Sequence, residues 1–295
     1  MTRARIAPGW WFVAPALALI VVFFAGPVLA AIGLSFTDFD LYALADPHAA
    51  RWVGLRNYSR VLHEPLFWQA LRNTLYFAVV GGPLTIAASL GAALLVNARA
   101  VRWKSTARTV FFAPFVTTLV AVAIVWRYLY HPRYGLLNYL LGFVHLGPID
   151  WLGNPHWAMP AIILMATWKN FGYNMLICIA GLQSIPRELY EAAALDGASA
   201  WQRFRHVTMP MLAPTLFFVV IVTMIGYLQL FTEPYVMTQG GPLRATTSLV
   251  LYMYEEGFRW WRLGVAAAIA FLLFAVIVAF TVVQRWLSPR GAAGA

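Results

Sequence analysis

The sequence predicts an all-α membrane protein with six transmembrane helices, and three observations support this fold class. Of its 295 residues, 61% are hydrophobic and 11% are charged, whereas soluble domains carry about 25% charged residues. Six segments are apolar over the roughly 20 residues that a hydrocarbon core requires. Aromatic residues cluster near the ends of several of these segments, as they do where membrane helices meet water. The mean hydropathy of +0.69 agrees with a lipid environment for most of this surface.

The first predicted helix covers residues 10–35 and carries no charged side chain. Arg3 and Arg5 precede it, an arrangement that is also typical of a secretory signal peptide. The apolar core of such a peptide is only about 7–15 residues long, and this segment exceeds it. We therefore expect a membrane helix that stays in the protein.

Five further apolar segments predict the remaining helices, at residues 71–96, 109–130, 156–183, 212–234 and 263–286. Cytoplasmic loops are enriched in lysine and arginine. The link between helices two and three is basic, with Arg99, Arg102, Lys104 and Arg108. The segment after helix one is acidic, with Asp38, Asp40, Asp46 and Glu64. We therefore expect both termini in the cytoplasm.

The domain organisation predicted from this pattern is a single transmembrane domain over residues 1–295. No internal repeat interrupts it, and the short Gly/Ala-rich tail at its end is expected to be disordered. Cys178 is the one cysteine and lies in an apolar stretch, which excludes an intramolecular disulfide and favours a packing role.

Residues 184–211, between helices four and five, are patterned as a structured element rather than a plain connection. Pro186 suits the first turn of a helix, and Glu188 complements the positive end of its dipole. Asp196 and Gly197 then predict a turn. Small or apolar side chains share one face of this helix and would let a partner approach closely: Leu189, Ala192 and Ala193.

A second short helix is predicted after the turn. Ser199 and Gln202 have the spacing of a capping box, and the helix would carry Trp201 and Phe204. Pro210 is expected to stop it before the membrane resumes. The two helices together predict a helix-turn-helix on the cytosolic side, where an ordered aromatic hairpin favours a docking role over a simple loop.

This segment resembles the EAA loop of binding-protein-dependent ABC importer permeases. It reads Glu191-Ala192-Ala193, three residues, Gly197, nine residues and then Val-Thr-Met-Pro at 207–210, with Val and Met in place of the usual Ile and Leu. The strings GLQSIP before the loop and TQGGP at 238–242 are similar to sugar-type permeases. Among these the likeness is to the larger permease of maltose importers and to glycerol-phosphate importer permeases, and it runs from about Trp10 to Trp286.

The resemblance implies a chain in the inner membrane of a bacterium or archaeon, with a coupling loop that sits in a cleft of an ATP-binding subunit. The residues that would carry this contact are Glu191, Ala192, Ala193, Asp196 and Gly197. The implied partners are a dimer of ATP-binding ABC subunits, a second homologous permease, an extracytoplasmic solute-binding protein and a carbohydrate-like solute. The chain itself is expected to bind no cofactor, with ATP and Mg²⁺ on the ATPase. It lacks the extra helices and the large insert of the maltose permease, so the identity of the sugar does not transfer.

Several kinds of chemistry have no support in the sequence. A P-loop needs Gly-Lys-Ser/Thr, but the only two lysines, Lys104 and Lys169, each follow a tryptophan. The histidines lack metal-ligand spacing, and no hydrolase motif occurs. The net charge of +10 is distributed as in a membrane protein and does not indicate nucleic-acid binding. We therefore expect a non-enzymatic subunit that is driven by a partner.

Polar residues inside two predicted helices indicate a solute pathway. A charge such as Lys169 is costly in the membrane and normally faces a wet cavity or a partner, although snorkelling to the interface is an alternative. Counting 1.5 Å per residue places Lys169 and Tyr227 at about the same depth, roughly 20 Å from the cytosolic side. The predicted pathway residues are Lys169, Asn170, Tyr173, Asn174, Thr223, Tyr227 and Gln229.

Two alternatives remain open for this polar layer and for the protein. Polar contacts between helices would explain single residues without a solute, and Glu233 is expected near the outer mouth, paired with a neighbouring base. A secondary transporter would need acidic residues inside its spans, and the predicted spans before Glu233 contain none. A membrane scaffold would need neither Lys169 nor the aromatic layer.

Overall fold

The computed structural model describes residues 9–46, 50–98 and 101–287. Arg3, Arg5, Arg99 and the Gly/Ala-rich tail, on which part of the topology prediction rests, lie outside these ranges. Within them the chain is helical, as predicted, and its one β contact is an isolated antiparallel bridge between Thr37 and Trp52.

Thirteen helices follow one another in the described residues, some of them containing a π-helical turn. They are α1 (Trp10–Ser35), α2 (Leu41–Ala45), α3 (Arg56–His63), α4 (Pro65–Asn97), α5 (Lys104–Val116), α6 (Leu119–Leu129), α7 (Leu136–Gly142), α8 (Pro155–Gln183), α9 (Arg187–Leu195), α10 (Ala200–Leu228), α11 (Thr232–Met237), α12 (Leu249–Tyr254) and α13 (Leu263–Leu287). Five of these are long and apolar enough to cross a membrane: α1, α4, α8, α10 and α13. The pair α5 and α6 provides a sixth span if it is counted as one.

The predicted third span, residues 109–130, is wrong as a single straight helix. Helices α5 and α6 meet at an angle of 96°. Thr117 and Thr118 between them are extended, with ψ of 149° and 136°, so the backbone turns there. Hydropathy is continuous across the break, which is why the sequence pattern did not register it.

The predicted fifth span, residues 212–234, does not coincide with one helix. Helix α10 starts at Ala200 and ends at Leu228, and Gln229 and Phe231 leave helical geometry before α11 begins. Pro210 therefore does not stop the preceding helix, because the chain passes through it without interruption.

A π-helical turn explains how α10 tolerates Pro210. Three π turns in the described residues end two positions before a proline: Val21–Ala25 before Pro27, Phe77–Gly81 before Pro83 and Phe204–Thr208 before Pro210. A proline lacks an N–H group and its ring meets the carbonyl one turn earlier. The wider π turn relieves that clash, so the helix continues.

The described residues fold as two compact units, one within residues 9–67 and 252–274 and the other within residues 68–251 and 275–287. In the first unit the Asn57 amide donates to the carbonyls of Ser35 and Thr37 and thereby holds the end of α1. In the second unit α8 packs against α4, α5 and α10. Cys178 of α8 is fully buried in this core, as the sequence predicted.

A glycine allows α8 to approach α5 very closely. A Cβ atom at Gly172 would lie 1.9 Å from the carbonyl oxygen of Phe111 and 3.1 Å from Cα of Phe112. Only a residue without a side chain fits at such a distance. Lys169 lies one turn before Gly172 and is brought to the end of α5 by this contact.

Candidate functional site

A polar cavity of about 450 Å³ lies in the second unit, among α5, α8, α10 and α11. This volume is within the range of about 300–1,000 Å³ that small-molecule sites occupy. The structure brings all seven predicted pathway residues to its wall: Lys169, Asn170, Tyr173, Asn174, Thr223, Tyr227 and Gln229. The depth count therefore placed residues from two different helices at one site.

Lys169 uses its ammonium group to cap the broken end of α5. Its Nζ atom donates to the carbonyl oxygens of Pro114, Phe115 and Thr117, at 3.3, 3.1 and 3.0 Å. The last carbonyls of a helix have no partner within it and form the negative end of its dipole. Lys169 is only 7% exposed, so it does not snorkel. The carbonyl groups freed by the break between α5 and α6 thus accept hydrogen bonds from the charged group of α8.

Some of the predicted pathway residues make the helix–helix contacts that were the alternative explanation. The Asn174 amide donates to the Thr223 hydroxyl at 2.9 Å. The Tyr227 hydroxyl lies 2.6 Å from Oγ1 of Thr85, and Thr85 also donates to Thr167. Tyr227 is 6% exposed. These side chains therefore hold α4, α8 and α10 together at the base of the cavity.

Aromatic rings form the wall of the cavity. Phe115 and Tyr173 are stacked, with centroids 4.5 Å apart and an interplanar angle of 13°. Phe77 packs against Tyr227 at 4.7 Å. Flat rings of this kind offer a surface for the C–H faces of a ligand, while Asn170 and Gln229 supply polar groups beside them. The cavity therefore suits a molecule with both apolar faces and hydrogen-bonding groups.

Glu233 also lines this cavity. It was expected near the outer mouth, paired with a neighbouring base. The break after Leu228 and the new helix α11 place it in the same cavity as Lys169, where it is 9% exposed. Pro234 favours the first turn of a helix and was the available signal that a new helix begins here.

The segment after α8 forms two short helices around a left-handed turn. Helix α9 is followed by Gly197 with φ of +75°, a conformation that favours glycine. Ser199 and Gln202 form both hydrogen bonds of a capping box at the start of α10. The Tyr190 hydroxyl lies 3.0 Å from Oγ1 of Thr208 and ties α9 to α10.

The five predicted coupling residues lie on or next to α9. Glu191, Ala192, Asp196 and Gly197 are exposed, whereas Ala193 is half-buried. Two large apolar side chains nearby are also exposed, Leu195 at 89% and Trp201 at 65%. An ordered hairpin that displays such side chains has the character of a docking surface.

A chain with several helices that can cross a membrane, a polar and aromatic cavity between helices and an ordered surface hairpin has the features of a membrane transport protein. Residues 86–292 match the family described as "Binding-protein-dependent transport system inner membrane component". The chain belongs to this family.

Two curated relatives extend over nearly the whole chain. The lactose transport system permease protein LacF of Rhizobium radiobacter is 39% identical over 280 residues, which cover 94% of this chain and 92% of LacF. The trehalose/maltose transport system permease protein MalF of Thermococcus litoralis is 35% identical over 275 residues, covering 93% and 91%.

A solved structure has the same fold. It is a bacterial alginate ABC transporter in complex with an alginate pentasaccharide-bound periplasmic protein. The matched chain is 21% identical with a TM-score of 0.80, over 96% of this chain and 94% of that one.

Proposed function

We propose that the chain is the permease subunit of an ABC importer that carries a sugar or a sugar-like solute through the cavity of α8 and α10. The observation that carries the proposal is the cavity itself, which combines the stacked Phe115 and Tyr173 rings with the polar Asn170 and Gln229. A sugar presents the same two features, C–H faces and hydroxyl groups. The relatives named for lactose and for trehalose/maltose support this class of solute.

The second part of the proposal concerns the hairpin of α9 and the start of α10. We propose that it docks into a dimer of ATP-binding subunits, which hold ATP and Mg²⁺ and drive alternating access. The docking residues are Glu191, Ala192, Ala193, Asp196 and Gly197. The exposed Leu195 and Trp201 support a partner at this surface, because apolar side chains of this size gain free energy when they leave water.

The remaining parts of the assembly follow from the same family. A second homologous permease would complete the pathway, and an extracytoplasmic solute-binding protein would deliver the solute. The alginate importer with its loaded periplasmic protein supports the latter partner. With the hairpin on the cytosolic side, both termini would lie in the cytoplasm, which agrees with the basic residues Arg102, Lys104 and Arg108 between α4 and α5.

Uptake into proteoliposomes that contain the full importer and its binding protein tests the proposal, with radiolabelled lactose, maltose and trehalose as probes. Tyr173→Ala removes a stacking surface, which costs about 1–3 kcal/mol for a comparable aromatic contact. Uptake of the transported probe should fall at least about fivefold by that scale, while the binding protein still stimulates the ATPase.

Tyr139→Ala is the matched control, because Tyr139 is exposed and lies outside the cavity lining. It should transport normally. Normal uptake by Tyr173→Ala, or uptake driven by a proton gradient without ATP, would contradict the proposal.

A further inference from the structure

Two ionisable side chains of opposite charge line the cavity, Lys169 and Glu233. They differ in the hydrogen-bonding capacity that remains free for a ligand. An ammonium group has three N–H donors and no acceptor. The three carbonyl oxygens at the end of α5 accept all three of the Lys169 donors. A ligand in the cavity therefore finds no free donor on Lys169.

The positive charge of Lys169 is also offset where it lies. The carbonyls that bind it belong to the C-terminal end of α5, which carries a partial negative charge of about half an electron. The Phe115 ring lies 5.5 Å from the ammonium and presents its electron-rich face to it. The lysine is thus directed at the helix end rather than at the space of the cavity.

Glu233 is in the opposite situation. It is nine-tenths buried and lines the cavity. Its carboxyl group accepts from its own backbone N–H and interacts through space with the charge of Lys169, but no other described donor makes a hydrogen bond or ion pair with it. An ionised carboxylate has two oxygens and can accept several hydrogen bonds. A buried polar group whose hydrogen-bonding capacity is unfilled is costly. The structure therefore holds an acceptor that a ligand can satisfy.

We infer that the cavity selects uncharged sugars, with Glu233 accepting hydrogen bonds from sugar hydroxyl groups and disfavouring solutes that carry a carboxylate, sulfonate or phosphate. Because the Lys169 donors are taken by the α5 carbonyls, the Glu233 carboxyl is the ionisable group left to contact a solute, and an anionic solute would bring a like charge close to it. Hydroxyl groups, in contrast, donate to a carboxylate. The inference rests on the proposed function for its ligand class, and it names Glu233 as the residue that determines specificity.

The charge of the cavity can be measured without any sugar. Gly226 lines the cavity, and a Cβ at this position meets no atom within 4 Å, so Gly226→Cys places a thiol in open space. The native Cys178 is fully buried, and the parent protein gives the background rate. The assembled complex, in nanodiscs at pH 7.5, is labelled with methanethiosulfonate reagents that carry either a trimethylammonium or a sulfonate group.

The expected result is a preference for the cationic reagent about tenfold above the preference that a free thiol shows in solution. Adding Glu233→Gln should remove most of this excess. The control Glu64→Gln removes an exposed carboxylate outside the cavity lining and should leave the ratio unchanged. A ratio equal to that of the free thiol, or a larger rate for the anionic reagent, overturns the inference, and this comparison needs no Glu233 variant.

The second measurement uses protection of the thiol introduced by Gly226→Cys, with trehalose and trehalose 6-phosphate as the protecting sugars. Trehalose should slow labelling, and the phosphorylated sugar should protect at least about tenfold more weakly unless Glu233→Gln is present. Equal or better protection by the phosphorylated sugar overturns the inference. If neither sugar protects, the proposed sugar-binding role of the cavity fails for this disaccharide, while the reagent pair still decides the sign of the charge.

Discussion

Lys169 is a charged residue inside a membrane-spanning helix whose partners are backbone carbonyls. The sequence predicted that it needs a wet cavity or a partner, because a lysine at a helix centre costs about 2.5–3.5 kcal/mol on insertion scales. It could not identify the partner, because the carbonyls of Pro114, Phe115 and Thr117 become available only where α5 breaks. For the same reason the sequence did not place Glu233 in the cavity, because the position of this residue depends on the break after Leu228.

Six of the seven predicted pathway residues lie on regular stretches of α8 and α10, where helical spacing and depth can be counted, and the seventh, Gln229, follows the end of α10. Spacing could not predict which contacts each residue makes. Tyr227 and Asn174 line the cavity and also bond to neighbouring helices, whereas Tyr173 stacks on Phe115.

Lys169→Met should destabilise the protein rather than change its preference among solutes. It removes a charged donor from three carbonyls at the end of α5, of which that of Pro114 keeps the Thr117 hydroxyl as its other donor. Hydrogen bonds to a charged group contribute about 1.5–3 kcal/mol each. We expect a loss of roughly 3 kcal/mol or more and a clearly lower unfolding temperature of the purified subunit in detergent. Lys104→Met is the control, since Lys104 donates to a single carbonyl, that of Asn97. An unchanged unfolding temperature in Lys169→Met would contradict the capping role.

Hydropathy predicts the bounds of uninterrupted membrane helices well, but it does not predict where the backbone of a long apolar segment breaks. The first predicted span coincides with α1, and those at 156–183 and 263–286 agree with α8 and α13 to within one residue at each end. The third and fifth predicted spans are not single helices, because the backbone leaves helical geometry within them. Thr117 and Thr118 in the one, and Gln229 to Phe231 in the other, are no more polar than many residues inside continuous spans.

At the level of elements, the close approach of α8 to α5 is the contact on which the cavity depends. Gly172→Ala would place a methyl group 1.9 Å from the Phe111 carbonyl oxygen, so the two helices must separate. The carbonyls that hold Lys169 would then move away from it. We expect a lower unfolding temperature together with reduced sugar uptake.

Gly91→Ala on α4 is the matched control for this substitution. A Cβ at Gly91 meets no atom within 4 Å, and alanine stabilises an unstrained helix by about 0.4–1 kcal/mol relative to glycine. The control should therefore be as stable as the parent or more so. Comparable stability and uptake in both variants would show that α5 and α8 can accommodate a methyl group at position 172 without loss of function.

At the scale of the whole molecule, the proposed importer needs two distant parts of one chain to communicate. Helix α10 starts in the hairpin that carries the capping box and continues to Leu228 beside the cavity. Its π turn lets it pass Pro210 without a break. In the proposed importer, this continuous helix would connect a docking site in the hairpin with a solute site in the cavity, which is a physical basis for coupling between them.

Gly197 is the position where that coupling can be tested apart from folding. A Cβ at Gly197 meets no described atom of this chain within 4 Å. Its φ is +75°, and aspartate is among the residues that adopt such values more readily than most. Gly197→Asp should therefore leave the subunit folded, and any loss of function should arise at the partner surface.

We expect Gly197→Asp to uncouple the importer. The purified subunit should unfold within a few degrees of the parent, while the ATPase either fails to copurify or is no longer stimulated by the loaded binding protein, and uptake in proteoliposomes is lost. Gly54→Asp is the control, because Gly54 also has a positive φ, +58°, and open space around its Cβ position. It bears the same backbone strain outside the hairpin and should transport normally. Wild-type stimulation and uptake in Gly197→Asp would remove this glycine from the docking surface, and equal losses in both variants would assign the effect to backbone strain.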